Sequence, residues 1–486
     1  MKISELEPKE MWSYFDEITK IPRPSRHEDK MIQYLLDFAA KHKLEAEKDK
    51  FGNVVIRKPA SKGFENVKSA ILQGHSDMVC EKNSDIVHDF ENDPIDAYID
   101  GDWIKARGTT LGADDGIGIA AALAVLASKK IKHGPIEALF TSDEETGMTG
   151  AFGIKEGFVK STILLNLDSE DDGELFIGCA GGIDTEATFK FGKRKVSRHA
   201  KAFTISVTGL KGGHSGDEID KGLGNSNKIL TRILLEIEKL KPRITDFNGG
   251  NLRNAIPREA VAKIILPTEN TEKFKTVFKK ISDEIKIELS VNEPNLKIEF
   301  QTNDLPDFII DRRTQKRLLR ALNACPHGVF QMSADMPGLV ETSTNLASVK
   351  FNSKNKIIIG TSQRSASKSA ILDIAQTVGS VFELAGAKIK RGEGYPGWKP
   401  NVNSEILKIT KDAHVRVLKF EPKVRAIHAG LECGLFLQKY PYLDMISFGP
   451  TIKGAHSPDE KLNIPASQRF WDLLIEVLKN IPKEND

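Results

Sequence analysis

Five short segments of the chain hold residues able to bind a metal ion and move a proton. The first is Gln73-Gly74-His75-Ser76-Asp77. In an extended chain residues two apart share a face, so His75 and Asp77 can act as a metal-binding imidazole and the carboxylate that orients it. A buried structural histidine is the plainer alternative. The second is Leu111-Gly112-Ala113-Asp114-Asp115-Gly116, just ahead of an apolar run. Aspartates at a helix N-terminus satisfy free N–H groups and the dipole. Capping accounts for one of the pair and leaves the other for a metal.

The third segment is Thr141-Ser142-Asp143-Glu144-Glu145-Thr146-Gly147. Adjacent carboxylates in an extended chain face opposite ways, so one can ligate while its neighbour handles a proton; a solvated acidic turn is the alternative. Leu165-Asn166-Leu167-Asp168 ends an apolar run on an aspartate, and Gly454-Ala455-His456-Ser457-Pro458-Asp459-Glu460 places a histidine in a distant turn. Together the five supply two nitrogen donors and several oxygen donors. That mixture suits zinc and its first-row neighbours, whereas calcium and magnesium favour oxygen alone. The carboxylates suffice for two ions sharing one ligand, with a glutamate left over as general base.

These residues need elements to hold them. Apolar spacing near 3.6 predicts helices over 12–21 and 29–42. Short apolar runs at 54–56, 70–72, 136–140 and 163–167 read as strands, with a helix over 117–128 between them. Such alternation predicts an α/β layer with a mostly buried sheet, and ligands bind beyond the carboxyl ends of strands in such sheets. The basic segment 190–201 has a single Phe, Phe191, among its charges and reads as an exposed connection, not a nucleic-acid patch. Beyond it the pattern strand, helix, strand, helix occurs twice, at 202–207, 228–240, 260–266 and 271–285, then at 297–301, 315–324, 356–360 and 370–384. A Pro/Gly-rich turn near 392–397 leads to a last α/β segment whose final helix is 467–478.

Composition bounds the class. The chain has 486 residues, 40% hydrophobic and 28% charged, which fits a folded protein of two or three domains. Its net charge of +2 gives no general attraction to nucleic acid. The longest nearly pure apolar stretch, 117–127, is far short of the ~20 residues that span a bilayer. The start of the chain, Met1-Lys2-Ile3-Ser4-Glu5-Leu6-Glu7, is acidic and lacks the apolar core of a signal peptide. The cysteines Cys80, Cys179, Cys325 and Cys433 lie far apart without a disulfide-framework spacing. The expectation is a cytoplasmic enzyme with reduced thiols, engaging neither nucleic acid nor membrane.

The order HxD, ADD before a helix, EE, D and a late H resembles the di-zinc exopeptidases of the aminoacylase, carboxypeptidase and dipeptidase type. Within them the chain resembles the aminoacyl-histidine (Xaa-His) dipeptidases. The carrying segments are GHSDMV (74–79), GTTLGADDGIG (108–118), TSDEETGMTGA (141–151), LLNLDSED (164–171), GLKGGHSGDEI (209–219), GGNLRNAIP (249–257), ETSTNLA (341–347), GYPGWKPN (394–401), AIHAGLECGLF (426–436) and GPTIKGAHSPDE (449–460).

That resemblance implies a site. His75 and Asp168 would hold one zinc, Glu145 and His456 the other, and Asp114 would bridge them, leaving capping to Asp115. Cobalt or manganese could replace zinc. Asp77 would orient a ligand imidazole and Glu144 would be the general base. His214 would polarise the scissile carbonyl, and Asn254 and Arg364 would grip the substrate carboxylate. His428 and Glu432 lie in a matching motif with no role that follows from it. The implied fold is a discontinuous α/β catalytic domain, a mixed sheet flanked by helices over 1–187 and 391–486. An α+β lid over 188–390, readable as two similar units, would be inserted in it and close on the substrate. The implied activity is metal-dependent hydrolysis of Xaa-His dipeptides by a homodimer. A tripeptide aminopeptidase or an N-acyl-amino-acid deacylase is the alternative on the same scaffold.

Overall fold

The computed structural model describes residues 2–484 and divides them into two compact units. One unit comprises 2–178, 398–426 and 431–484; the other comprises Cys179–Gly397 and Ile427–Gly430. The expected limits at 187 and 390 fall elsewhere for a reason of strand pairing. Strand Gly181–Lys190 pairs along its whole length with Lys356–Ser365, so it belongs with the second unit's sheet.

The first unit is built on an eight-stranded mixed sheet. Its spatial order is Glu45–Lys48, Val54–Lys58, Ile136–Thr141, Ala70–His75, Ile163–Asn166, Asp444–Ser447, Glu174–Cys179 and Lys423–Ile427. The four strands from Ile136–Thr141 to Asp444–Ser447 run parallel to one another. Three of these are buried at every position, as strands covered on both faces must be. Helix Ala113–Ala127 is apolar all round, and buried along nearly its whole length, the pattern of a fully enclosed helix. Asp114 and Asp115 at its start depart from helical φ/ψ, so its regular turns begin close to Ile117, as the sequence predicts. Helix Asp29–His42 and strands Ile136–Thr141 and Ile163–Asn166 lie where the periodicity puts them. A small sheet orders Ile452–Lys453, Lys461–Asn463, Trp103–Ala106 and Ala97–Asp100.

The second unit is an antiparallel sheet in the order Lys297–Asn303, Ala200–Thr208, Ala260–Pro267, Arg243–Gly249, Val340–Asn352, Lys356–Ser365, Gly181–Lys190 and Lys388–Arg391. Strand Gly328–Met332 adds to Val340–Asn352 off this path. Helices Ser226–Glu236, Thr271–Glu288, Arg312–Ala324 and Lys368–Leu384 share one apolar core with the sheet, through Leu230, Phe274, Leu318 and Val378.

Each half of this unit runs strand, helix, strand, strand, helix, strand. The first half occupies 200–303 and is inserted after the first strand of the second half, Gly181–Lys190. The halves join where Asn248 and Gly249 pair with Lys350 and Val349. Two similar units are therefore present, with a membership that differs from the sequence reading. Lys297–Asn303 closes the first half instead of opening the second, and strands Arg243–Gly249 and Val340–Asn352 had not been foreseen. The latter is rich in Ser and Thr, so its sequence shows little apolar alternation.

Candidate metal centre

The parallel strands of the first unit end at His75, Thr141 and Asn166, and the candidate ligands follow from those ends. His75 is the last residue of its strand and only 1% exposed. Its Nδ1 lies 3.3 Å from Asp77 Oδ1, and its Nε2 lies 2.9 Å from Asp114 Oδ1 and 3.2 Å from Asp168 Oδ1. At the other side of Asp114, Oδ2 stands 3.2 Å from His456 Nε2, which is 3.1 Å from Glu145 Oε2. Asp114 thus faces both histidines. His75, Asp114 and Asp168 form one group of potential ligand atoms within 4.8 Å of one another; Asp114, Glu145 and His456 form a second, and His75, Glu144 and Glu145 a third.

The two tandem aspartates divide their work by backbone geometry. Both depart from helical φ/ψ, and the peptide between them is cis. Asp115 turns inward, and its Oδ1 accepts from Gly118 N at 3.1 Å, a cap on the helix. A Cβ at Gly74 or at Gly118 would stand 2.1 Å or 2.2 Å from the Asp115 carboxylate, so glycine at both positions makes its room. The turn before Asp114 is fastened twice. Arg23, 2% exposed, donates to Gly112 O and also to the carbonyls of Ser76 and Asp77. Glu460 accepts from the backbone N–H groups of Leu111, Gly112, Ala113 and Asp114.

The acidic pair is arranged otherwise than an extended chain would have it. Glu144 and Glu145 open a one-turn helix, Glu144–Gly147. Successive helical residues project ~100° apart, so both carboxylates stay on the cluster side. Asp77 holds this turn: its Oδ1 accepts from Glu144 N at 3.0 Å and its Oδ2 from Glu145 N at 3.2 Å. Ser25 Oγ adds a bond to Oδ2 at 2.7 Å. Asp77 therefore orients His75 and the turn carrying the two glutamates together.

Electrostatics follow from burying carboxylates side by side. Burial, followed by repulsion from Asp168, Glu432 and Glu145, lifts the Glu144 carboxyl well above the usual range, although His75 opposes it. Burial pushes Asp168 up to about 6. For Asp77 burial is overcome by His75 and by Ser25, which bring it down to about 2. Burial alone would discharge His75, yet Asp168, Asp114 and Asp77 hold its proton. Hydrogen bonds to Asp114 and Glu145 carry His456 up to about 11.

A field that retains protons on two imidazoles is one that a divalent cation can satisfy instead. Glu145 Oε1 is buried with no hydrogen-bond partner. The donors are imidazole nitrogens and carboxylate oxygens, the set that suits zinc, cobalt and manganese. The residues present fit such ions.

In the second unit, His214 lies in strand Gly213–His214, which pairs with Ala255–Ile256. Its Nδ1 is 3.3 Å from Asp217 Oδ2, and Arg364 Nη2 approaches its Nε2 at 3.4 Å. Arg364 is 6% exposed, donates to Tyr395 Oη at 2.9 Å, and leaves its Nε without a partner. Asn254 is exposed, in the loop that leads to Ala255. Together with His214 it lines a cavity of about 810 Å³ whose wall includes Lys211, Arg258 and Lys350.

His428 is buried beside Ser343, Nε2 to Oγ 2.8 Å, and burial near Arg364 brings it down to about 4, so it is neutral. Glu432, in the first unit, is fully buried. It accepts from Gln73 Nε2 at 2.7 Å and Thr141 Oγ1 at 2.6 Å, tying two strand ends behind the cluster. Gln73 in turn accepts from Asn166 Nδ2 at 2.6 Å.

Sequence reasoning missed the supports. Arg23 stands between Pro22 and Pro24, and nothing in that local pattern marks it as a support. Glu460 lay in a quoted motif but had no sequence-local signal, because its partners are more than 340 residues away.

Comparison with known proteins shows what the chain is similar to. A family model described as peptidase family M20/M25/M40 matches residues 71–480. The cytosol non-specific dipeptidase of Escherichia coli is 44% identical over 99% of both chains. The crystal structure of aminoacylhistidine dipeptidase from Vibrio alginolyticus superposes with a TM-score of 0.92 at 46% identity, covering 100% of this chain and 99% of that one. An aminopeptidase PepT structure from Bacillus cereus shares the fold with a TM-score of 0.58 at 15% identity.

Proposed function

The chain belongs to peptidase family M20/M25/M40, and from that membership we propose that it is a metal-dependent dipeptidase with Glu144 as general base. The observation that carries the reading is the meeting of His75, Asp114, Glu145, Asp168 and His456 around one shared aspartate, with Glu144 beside them. Two relatives that cover 99–100% of the chain bear dipeptidase names, which favours dipeptides over tripeptides or blocked amino acids. One name specifies aminoacyl-histidine substrates and the other is non-specific, so Xaa-His dipeptides are proposed as substrates.

His75 and Asp168 would hold one ion and Glu145 and His456 the other, with Asp114 shared; zinc is the proposed metal. When bound, two such ions supply an activated water at neutral pH and polarise the scissile carbonyl. Glu144 takes the water's proton on its carboxylate and passes it to the leaving amine, work suited to a carboxyl whose burial keeps its affinity for protons high. Asp77 keeps the Glu144–Glu145 turn in register with His75. In the second unit, Arg364 offers a buried guanidinium with a donor unused, and we assign it, with Asn254, to the substrate carboxylate and His214 to the carbonyl oxygen. A cytosolic location, as in the name of the Escherichia coli relative, and a homodimer complete the proposal.

The test is a pair of variants with a substrate panel. Glu144→Ala should keep two ions and lose ~10²-fold or more in kcat, the scale of general base catalysis. Glu145→Ala should lose one ion. Xaa-His and Xaa-Leu dipeptides should be cleaved faster than tripeptides or acylated amino acids. Two ions and a normal rate in both variants would refute the assignment.

A further inference from the structure

Glu460 is 2% exposed and lies four residues beyond His456. Its two carboxylate oxygens are fully committed to one short turn. Oε2 accepts from Leu111 N at 2.7 Å and Gly112 N at 2.9 Å, and Oε1 accepts from Ala113 N at 2.7 Å and Asp114 N at 3.3 Å. Leu111 and Gly112 precede helix Ala113–Ala127 and Ala113 and Asp114 begin it ahead of its regular turns, so the negative charge lies toward the positive end of the dipole. Glycine is needed in this turn, since Gly112 has φ +69 and a Cβ there would stand 2.8 Å from the Met78 sulfur and 2.9 Å from Arg23.

The loop on the other side of the link is the tip of a hairpin, closed at its base where Ile452 and Lys453 pair with Leu462 and Lys461. The His456 side chain is 55% exposed, and its backbone is left-handed at φ +63. Between Gly454 and Glu460 the loop is closed by its own bonds, Ser457 Oγ to Gly454 O at 2.7 Å and Glu460 N to Ser457 O at 3.0 Å. Its exit strand, Lys461–Asn463, pairs with Trp103–Ala106. His75, by contrast, is embedded at the end of a central strand paired on both sides.

We infer that Glu460 is a positioning residue that locks the turn carrying Asp114 to the loop carrying His456, and so sets the metal position formed by Asp114, Glu145 and His456. This rests on the metal reading of the cluster. A carboxylate held by four backbone donors fixes orientation as well as distance, and it ties two segments 342 residues apart beyond what the pairing of Lys461–Asn463 with Trp103–Ala106 supplies. Outer partners of metal ligands commonly affect affinity by 10–100-fold. Asp114 is shared, so the loss should fall mainly, not wholly, on the ion of the His456 side. The His75 position keeps its strand, Asp77 and Arg23.

The experiment titrates demetallated protein with zinc against a chromogenic chelator, for wild type, Glu460→Gln, Glu460→Asp, His456→Ala and the Glu460→Gln/His456→Ala double variant. Glu460→Gln turns an amide NH₂ toward two of the four N–H groups and should weaken one ion ~10-fold or more, leaving the other near wild type. Glu460→Asp should fall between. In the double variant Glu460→Gln should add nothing to the effect of His456→Ala, since both act on the same position. Equal weakening of both ions, no weakening, additive losses in the double variant, or failure of both Glu460 variants to fold would overturn the proposal. A wild type that binds no zinc would instead fail the metal reading itself.

Discussion

His75 stands at the end of a central parallel strand with its side chain 1% exposed, whereas His456 stands in a turn with its side chain 55% exposed. Both imidazoles face the same aspartate, at 2.9 and 3.2 Å. The difference lies in what fixes them. Behind His75, Asp77 receives Ser25 and two backbone donors, and strand pairing on both sides sets the backbone. Behind His456 there is a hairpin of two short strands at the edge of a small sheet and one carboxylate, Glu460. Similar donors can thus be held by a sheet or by a clasp. A sheet is preorganised by its core; a clasp depends on a few bonds.

The largest expected effect is that of removing metal, and it separates the two sides. Dialysis against graded chelator should abolish activity, with restoration by zinc, cobalt or manganese. Metal analysis along the series should pass through a stage with one ion per chain, the His456 side emptying first. Simultaneous departure of both ions would mean that the clasp holds as well as the sheet.

A smaller effect is expected from the second unit, whose polar cluster carries fewer charges than the metal centre. Arg364→Ala should raise KM for free dipeptides by ~10-fold or more, because a charged hydrogen bond contributes about 1.5–3 kcal/mol. For dipeptide amides the change in KM should be much smaller. An equal rise for acids and amides would remove Arg364 from the carboxylate grip.

The sheet side also makes a pH prediction. Burial pushes Glu432 up to about 8, well above the ordinary value of 4.5. A carboxyl whose folded value is raised is stabilising in its protonated form, and this contribution is lost as pH rises from about 4.5 through 8. In demetallated protein, Glu432→Gln should keep the bonds to Gln73 and Thr141 and flatten the fall in Tm across that range. Its Tm at pH 8 should lie at least ~2 °C above that of wild type. An unchanged slope would show that the ends of the strands do not rely on a neutral carboxyl.

The smallest effect concerns the cysteines. Among the described residues no disulfide joins Cys80, Cys179, Cys325 and Cys433, and three of them are buried. Reducing agent should leave activity and Tm unchanged, and non-reducing mass mapping should find no Cys–Cys bridge in the native protein. A stable bridge would contradict the reading of reduced thiols.

Much of the first unit was legible from the chain. Fully buried strands such as Ala70–His75 and Ile136–Thr141 are short apolar runs, and the residues that follow them fall at strand ends by chain connectivity alone. The alternation of HxD, ADD, EE and D therefore marked the cluster. Short, partly exposed strands such as Glu45–Lys48 and Lys423–Ile427 were not legible, being held by pairing and not by a buried apolar run of their own. The second unit's division was misread for a related cause. Gly181–Lys190 opens a half whose remaining elements lie beyond residue 309, and local pattern carries no record of an insertion.

The sequence by itself determined which residue types could bind metal and which faces of the helices and strands would be buried, because both depend on side-chain chemistry and short-range spacing. Residue types alone left Asp114 and Asp115 equivalent, and the family resemblance chose Asp114; only the tertiary structure decided how that turn is held, how Glu144 and Glu145 share one helical turn, and that Glu460 spans to the Leu111–Asp114 turn. These are settled by backbone dihedrals and by hydrogen bonds between segments hundreds of residues apart. Such bonds depend on how the chain closes on itself, a quantity that no short window of sequence contains.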